Sequence, residues 1–329
     1  MADVAPVGPV FVAGLERTGT SLMFALLASH PRIAMTRRTN LWPYFYERYG
    51  DLRDPENLER CLSVMMRYKR LIPLDPDADR IRREFTDGET SYARLFSIIE
   101  AHYAESLGKP RWGDKSLHTE RYADPIFEAY PGARILHMMR DPRDRYASVL
   151  ARWKKRRGGV GAGTAEWLSS FRLARRNLER YPNRYRIVRY ETLVADPEAT
   201  LREICAFIDE EYAPEMLTLS GAEKFRDEGS NSSYGRRPPG EISTDSIGRY
   251  GRVLPPAQVA FIQMMAKAEM RALDYPVDDV HFSPRERLRF SFAGYPFDLA
   301  RLAAWRSRHA FQNRVGRDVP SYRLVETES

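Results

Sequence analysis

Two stretches of this chain combine guanidinium, hydroxyl and glycine residues in a way that holds anions. The first, Gly14-Leu15-Glu16-Arg17-Thr18-Gly19-Thr20-Ser21, follows the apolar run Phe11-Val12-Ala13. The second is Arg140-Asp141-Pro142-Arg143-Asp144, with Ser148 beyond it. Arginine presents a permanent planar fork of donors to a phosphate or sulfate. A strand that stops at glycine and turns into a helix aims backbone N–H groups and the helix N-terminus at one point. Together the two stretches imply a nucleotide carrying phosphates at both ends. The first lacks a Lys-Ser/Thr pair after its glycine, so the ammonium and the Mg²⁺-binding hydroxyl of an ATP loop are both missing. Arg17, Thr18, Thr20 and Ser21 suit a terminal phosphosulfate better than a metal-chelated triphosphate, and no metal site is predicted.

The elements that must position these residues follow from local patterning. Val10 to Ala13, Arg134 to Met139 and Tyr185 to Arg189 are apolar runs of strand length, with a short strand near Arg111-Trp112. A helix from Leu22 to Ser29 follows the first. Asp141-Pro142 reads as an N-cap followed by proline at the first helical position. Arg140 is thereby placed at the carboxyl end of a strand, where open α/β sheets bind ligands, and Ser148 lies two turns on, along roughly the same face. The same residues also fit a buried Arg–Asp pair that fastens a helix start. Strands alternating with helices predict a mainly parallel sheet. The stretch from Leu41 to Gly108 reads as helical, broken at Pro55, Pro73 and Pro76. Arg156 to Gly163, and Glu228 to Arg237 with Pro238-Pro239-Gly240 after it, lack apolar periodicity and read as mobile loops.

The two stretches, in this order, resemble the sulfotransferase superfamily. By that resemblance Gly14 to Ser21, with Gly19 at its turn, corresponds to the 5′-phosphosulfate loop, and Arg140 with Ser148 to the 3′-phosphate site. Ile187-Val188-Arg189-Tyr190-Glu191-Thr192-Leu193 is similar to the family's Tyr-Glu-x-Leu segment, whose tyrosine, here Tyr190, lies near the adenine. The likeness spans about residues 8 to 255. It implies a P-loop-like three-layer α/β fold with a central, mainly parallel sheet flanked by helices. It also implies a donor, 3′-phosphoadenosine 5′-phosphosulfate (PAPS), and transfer of its sulfuryl group to an acceptor hydroxyl or amine on a small molecule, lipid or sugar.

Sulfuryl transfer needs a base for the acceptor proton, cations for the equatorial oxygens and stabilisation of the leaving phosphate. Arg17 matches the last role. In Gly113-Asp114-Lys115-Ser116-Leu117-His118, a lysine and a histidine three residues apart after a strand can both face its carboxyl end. Lys115 matches the lysine of the family's Lys-Asp-Pro or Lys-Thr-Pro motif. His118 falls at the distance before Arg140 at which cytosolic sulfotransferases carry their base histidine. The likeness also departs from the pattern. Members resembling the tyrosylprotein sulfotransferases place a catalytic glutamate shortly after a His-Pro; this chain has His30-Pro31, but Met35-Thr36-Arg37-Arg38-Thr39 follows. The base is therefore His118 or another carboxylate such as Glu47 or Asp114, and Arg37 and Arg38 form either an acidic-acceptor site or a solvated pair. A binding protein for 3′-phosphoadenosine nucleotides would keep Arg17 and Arg140 and need no base. A P-loop kinase would need the missing Lys-Ser/Thr.

Composition sets the remaining bounds. The 329 residues, 43% hydrophobic and 29% charged, suit one globular α/β domain, with a core at about 8–275 and a basic amphipathic C-terminal extension at about 280–329. Cys61 and Cys205 are too few for a disulfide framework. No N-terminal charged-then-apolar stretch occurs, and no run approaches the roughly 18 apolar residues of a membrane span, so a cytoplasmic location is expected. The net charge of +7 fits nucleic acid, an acidic membrane or an anionic cofactor; the phosphate stretches favour the cofactor, and no nucleic-acid partner is expected. Eight arginines between Arg285 and Arg317 alternate with Phe290, Phe292, Tyr295, Phe297, Leu299, Leu302 and Trp305. That pattern predicts a helix docked on the core with an arginine-rich outer face, or peripheral contact with a membrane.

Overall fold

Every residue of Val10–Gly14 is buried, as a strand with neighbours on both edges and helices on both faces requires. It is the middle strand of a five-stranded parallel sheet: β1 (Val10–Gly14), β2 (Ile33–Arg37), β3 (Arg111–Lys115), β4 (Arg134–Met139) and β5 (Tyr185–Arg189), ordered β2-β3-β1-β4-β5. The computed structural model describes residues 7–153, 158–223, 241–315 and 319–325. Alternate residues of the central strands face opposite layers. Phe11, Ala13 and Ile135 pack with Trp42, Phe45, Phe96 and Ile126. Val10, Val12, Leu136 and Met138 pack with Met23, Leu26, Leu27, Leu201 and Ile204. The fold is therefore α/β with a P-loop-like layering.

Helices α1 (Thr20–Ala28), α2 (Leu41–Phe45), α3 (Pro55–Arg67), α4 (Ala78–Thr86) and α5 (Tyr92–Ser106) precede β3. After it come α6 (Ala123–Ala129), α7 (Pro142–Arg152), α8 (Gly159–Arg180), α9 (Tyr190–Ala195) and α10 (Pro197–Phe207), and then α11 (Tyr250–Val253), α12 (Pro256–Arg271), α13 (Pro284–Arg289) and α14 (Tyr295–Val315). Chain direction across the sheet reverses at β1, whose neighbours are β3 and β4. Loops leaving adjacent strands there diverge and open a crevice. Gly14 pairs with Met138 across β1 and β4, so the segments after Gly14 and Met139 leave the sheet side by side.

The structure departs from the sequence reading in three places. Ile33–Arg37 is a strand, and β3 runs on to Lys115 rather than ending near Trp112. The glycine-rich stretch expected as a loop is helical from Gly159; its small residues admit close neighbours, since a Cβ on Gly161 would lie 2.0 Å from the Asp298 carbonyl oxygen. The tail docks there. Leu302 of α14 is buried, and beyond α14 Leu324 forms an antiparallel bridge with Tyr68. The outer side of the extension leaves Leu288, Phe292 and Phe311 exposed. No helix among the described residues is long and apolar enough to cross a membrane. Cys61 and Cys205 are both buried and free. The polar run from Glu228 to Arg237, Pro238-Pro239-Gly240, and the basic residues 154–157 lie outside the described residues.

Candidate active site

The segment after β1 is held in an unusual backbone path. Gly14, Arg17 and Gly19 have φ of 118°, 70° and 96°, left-handed values that glycine adopts freely and arginine at a cost. Gly19 is also a close approach, because a Cβ there would lie 2.6 Å from Tyr190 Cδ2. Thr18 is fully buried and its hydroxyl donates to the Leu15 carbonyl at 2.8 Å, so it braces the loop from inside. Helix α1 starts at Thr20 with no acidic residue in its first turn and no side-chain cap. The N–H groups of Gly19, Thr20 and Ser21 donate to no partner among the described residues. A helix start with open donors and no local counter-charge is an anion site.

The second stretch closes against the first. Arg17 Nε donates to Ser148 Oγ at 2.9 Å, and Arg140 donates to the Arg17 carbonyl at 3.3 Å and to the Ser246 carbonyl at 2.7 Å. Arg140 is 4% exposed, its guanidinium carbon lies 4.5 Å from the Tyr190 ring centre, and its Nε has no hydrogen-bond partner among the described residues. A buried arginine with an unused donor fits a phosphate oxygen. Asp141 caps α7 and pairs with Arg143 at 2.6 Å. The structural reading of that stretch, a buried Arg–Asp pair at a helix start, is thus met by Asp141 and Arg143, and Arg140 stands apart from it. Asp144 accepts from the N–H groups of Gly248 and Tyr250 at 2.7 and 2.9 Å, which brings residues 244–250 over Arg140.

Lys115 and His118 sit at the carboxyl end of β3, as their spacing predicts. Lys115 is 2% exposed, and its ammonium makes no hydrogen bond or ion pair among the described residues. Burial, followed by the nearby Arg38 and Arg37, lowers its ammonium to about 7 against the opposing pull of Asp114 and Glu16. His118 has φ 67°. Its Nδ1 is turned inward, 3.8 Å from Glu120 Oε1, an ion-pair rather than a hydrogen-bond distance. Burial raises the Glu120 carboxyl, but the imidazoles of His118 and His137 with the backbone outweigh it and hold the group at about 2. Glu120 Oε2 also accepts the Gly14 N–H at 3.3 Å, so one buried carboxylate joins the histidine to the anion loop. The ring of His118 borders a cavity of about 750 Å³ between α2, α8 and α14.

Neither fallback carboxylate lines the cavity beside His118. Asp114 is buried and accepts from Thr36 Oγ1 at 3.0 Å; burial raises its carboxyl, and hydrogen bonds from Ser116, Thr36 and Thr39 oppose the rise. Glu47 lines a different cavity, with Asp51, Glu89 and Glu128. Arg37 lies 5.4 Å from the Phe24 ring centre, and the Arg38 N–H donates to the Lys115 carbonyl at 2.9 Å. The stretch after His30-Pro31 thus brings arginines, and no carboxylate, beside Lys115. His30 itself is buried, bonded to the Glu211 carbonyl at 2.9 Å.

Several positioning residues have no local signal. Arg145 is buried and ties the Glu16 carbonyl, at 3.2 Å, to Glu166, at 2.6 Å. Glu191, beside Tyr190, accepts the Asp141 N–H at 2.9 Å and so fixes the start of α7. Trp167 donates to the Arg140 carbonyl at 2.8 Å. Each is a contact distant in sequence; the Tyr-Glu pairing was the one visible hint, for Glu191.

Residues 9–214 match the model of the sulfotransferase family. The chain is 24% identical over 235 residues to protein-tyrosine sulfotransferase A of Caenorhabditis elegans, covering 67% of this chain and 57% of that relative, so it spans little more than half of that protein's length. Among solved structures it resembles the sulfotransferase domain of the Synechococcus PCC 7002 olefin synthase, with TM-score 0.58, 18% identity, and coverage of 83% of this chain and 97% of that one. It also resembles the sulfotransferase domain from the curacin biosynthetic pathway, with TM-score 0.52, 17% identity, and coverage of 83% and 100%.

Proposed function

This chain belongs to the sulfotransferase family, and from that premise we propose that it moves a sulfuryl group from PAPS to the hydroxyl of a small molecule, lipid or sugar. The observation that carries the reading is the junction of the two anion stretches, in which Arg17 bonds Ser148 and Arg140 keeps a buried unused donor beside the open start of α1. The N–H groups of Gly19, Thr20 and Ser21 receive the 5′-phosphosulfate, with Thr18 bracing their loop. Arg140 and Ser148 receive the 3′-phosphate, and Tyr190 forms the floor between them. The donor supplies the sulfuryl group; transfer forms an O–S bond to the acceptor and breaks the S–O bond to the 5′-phosphate. His118 takes the acceptor proton on the ring edge facing the cavity, and Glu120 stabilises the imidazolium that results. Lys115 meets the charge gathered on the sulfuryl oxygens, and Arg17 meets the charge that leaves with the phosphate. The arginines after His30-Pro31 favour one competing reading, a binding protein without turnover. Movement of label from PAPS to a pooled extract separates the two, and label moving from ATP instead would indicate a kinase.

Adenosine 3′,5′-bisphosphate is expected to raise the melting temperature by mass action without Mg²⁺, and ATP with Mg²⁺ to do much less. Equal stabilisation by ATP overturns the donor assignment. Arg140→Ala is expected to weaken bisphosphate binding and to leave adenosine 5′-phosphate binding nearly unchanged, because the fork bond is lost with the group it holds. Calorimetric titration of both ligands into both proteins checks this; equal discrimination by mutant and wild type would place the 3′-phosphate elsewhere.

A further inference from the structure

The cavity beside His118 is lined by Arg48, Arg121, Arg172, Arg176 and Arg323, and by no aspartate or glutamate among the described residues. The permanent charges on its walls are thus all cationic, beside the neutral polar groups of Asn40, Ser169 and Gln312, while Tyr44, Tyr122 and Leu173 supply apolar surface. Charge is sorted locally: Arg48 lines this cavity, whereas the preceding Glu47 lines the other one with Asp51, Glu89 and Glu128. Arg323 lies 5.3 Å from the Tyr44 ring centre, and Arg121 contacts His309 of α14. Arg176 meets Asp124 at 3.5 Å at the rim. The Arg172 guanidinium forms no hydrogen bond or ion pair with a described residue. Like charges around one partly enclosed space repel, and an oxyanion placed among them gains charge-assisted bonds to several guanidinium groups.

We propose that the acceptor is a small anion, a hydroxyl compound with an apolar or aromatic body and at least one carboxylate, phosphate or sulfate, seated among these arginines with its hydroxyl toward His118. The proposal rests on the sulfotransferase reading above. The family match ends at residue 214, while His309, Gln312 and Arg323 close the cavity from the C-terminal extension. Acceptor choice is therefore built by a part of the chain outside the family core, and the same extension makes the space suited to a compact molecule.

The full chain, loaded with adenosine 3′,5′-bisphosphate, is titrated calorimetrically with pairs matched except for charge: 4-hydroxybenzoate and its amide, 4-nitrophenyl glucuronide and 4-nitrophenyl glucoside, glucose 6-phosphate and glucose. In at least one pair the anion is expected to bind about tenfold or more tightly than its neutral partner. Arg172→Gln and Arg323→Gln should each reduce that preference several-fold and leave the melting-temperature rise caused by the bisphosphate intact. Arg172 is exposed, so its substitution tests the idea even where Arg323→Gln loosens the tail. Absence of a preference in every pair overturns the proposal, as does a preference that survives both substitutions. Binding of a tyrosine peptide flanked by acidic residues, with none of the small anions bound, also overturns it. A wild-type protein that ignores the bisphosphate overturns the sulfotransferase reading instead, whereas one that binds it and prefers no anion overturns the acceptor assignment alone.

Discussion

His118→Ala is expected to lower turnover by roughly 100-fold or more, with affinity for adenosine 3′,5′-bisphosphate nearly unchanged. A proton acceptor acts on the transition state and contributes little to holding the donor, so the loss should appear in turnover. The imidazole is set for this work by two features. Its Nδ1 lies 3.8 Å from Glu120, a carboxylate held at about 2 and therefore ionised across the working range. An anion there favours the imidazolium formed as the acceptor gives up its proton. The ring also borders the cavity. The backbone at His118, with φ 67°, complicates a simple alanine test. His118→Asn is the control, since asparagine tolerates the left-handed region and lacks a basic nitrogen; it should lose activity to the same degree. Near-normal rates in both variants would retire His118 and move attention to Glu16, a carboxylate whose charge Lys115 senses.

How far the site was legible depends on what each residue answers to. Strands β1, β4 and β5 carry runs such as Val10-Phe11-Val12-Ala13 and Ile135-Leu136-His137-Met138-Met139, whose apolar content alone requires burial. Strand β3, Arg-Trp-Gly-Asp-Lys, has no such content. Its Asp114 is buried because Thr36 of β2 supplies a hydrogen bond, and its Gly113 because a Cβ there would lie 2.5 Å from both Met35 Sδ and the Val10 carbonyl oxygen. Both causes sit on other strands. The helical start of α8 was hidden for the same reason, since Asp298, which favours a glycine at 161, is far away in sequence. The turn after β1 was readable because its path is set by backbone turns and local hydroxyls. The bond from Arg17 to Ser148, the brace from Arg145 and the arginine-lined cavity each need parts of the chain that only folding brings together.

Lys115→Met is expected to lower turnover by about 100-fold and to abolish a proton uptake that accompanies donor-site binding. Burial and the two neighbouring arginines bring the wild-type ammonium to about 7 in the free protein. Slightly above neutrality, much of the population therefore lacks the cation that transfer requires. An anionic ligand next to Lys115 favours the charged form and raises its pKa, so binding at about pH 8 must draw protons from solution by linkage. Below about pH 6 the ammonium is already protonated, and this uptake should vanish. Titrating adenosine 3′,5′-bisphosphate calorimetrically in buffers of different ionisation enthalpy reads the proton number directly. Protonation of the ligand's own phosphates is common to both proteins, so the difference between wild type and Lys115→Met isolates the lysine. The free-enzyme rate constant kcat/KM should correspondingly fall above about pH 7 in the wild type, while Lys115→Met, which has no ammonium to lose, should show a low rate without that limb. His118→Asn should keep the proton uptake, because its defect lies in accepting the hydroxyl proton and not in holding the sulfuryl charge. Equal uptake by wild type and Lys115→Met would show that Lys115 does not meet the donor's charge, and the cation for the sulfuryl oxygens would then have to come from Arg37 or Arg38.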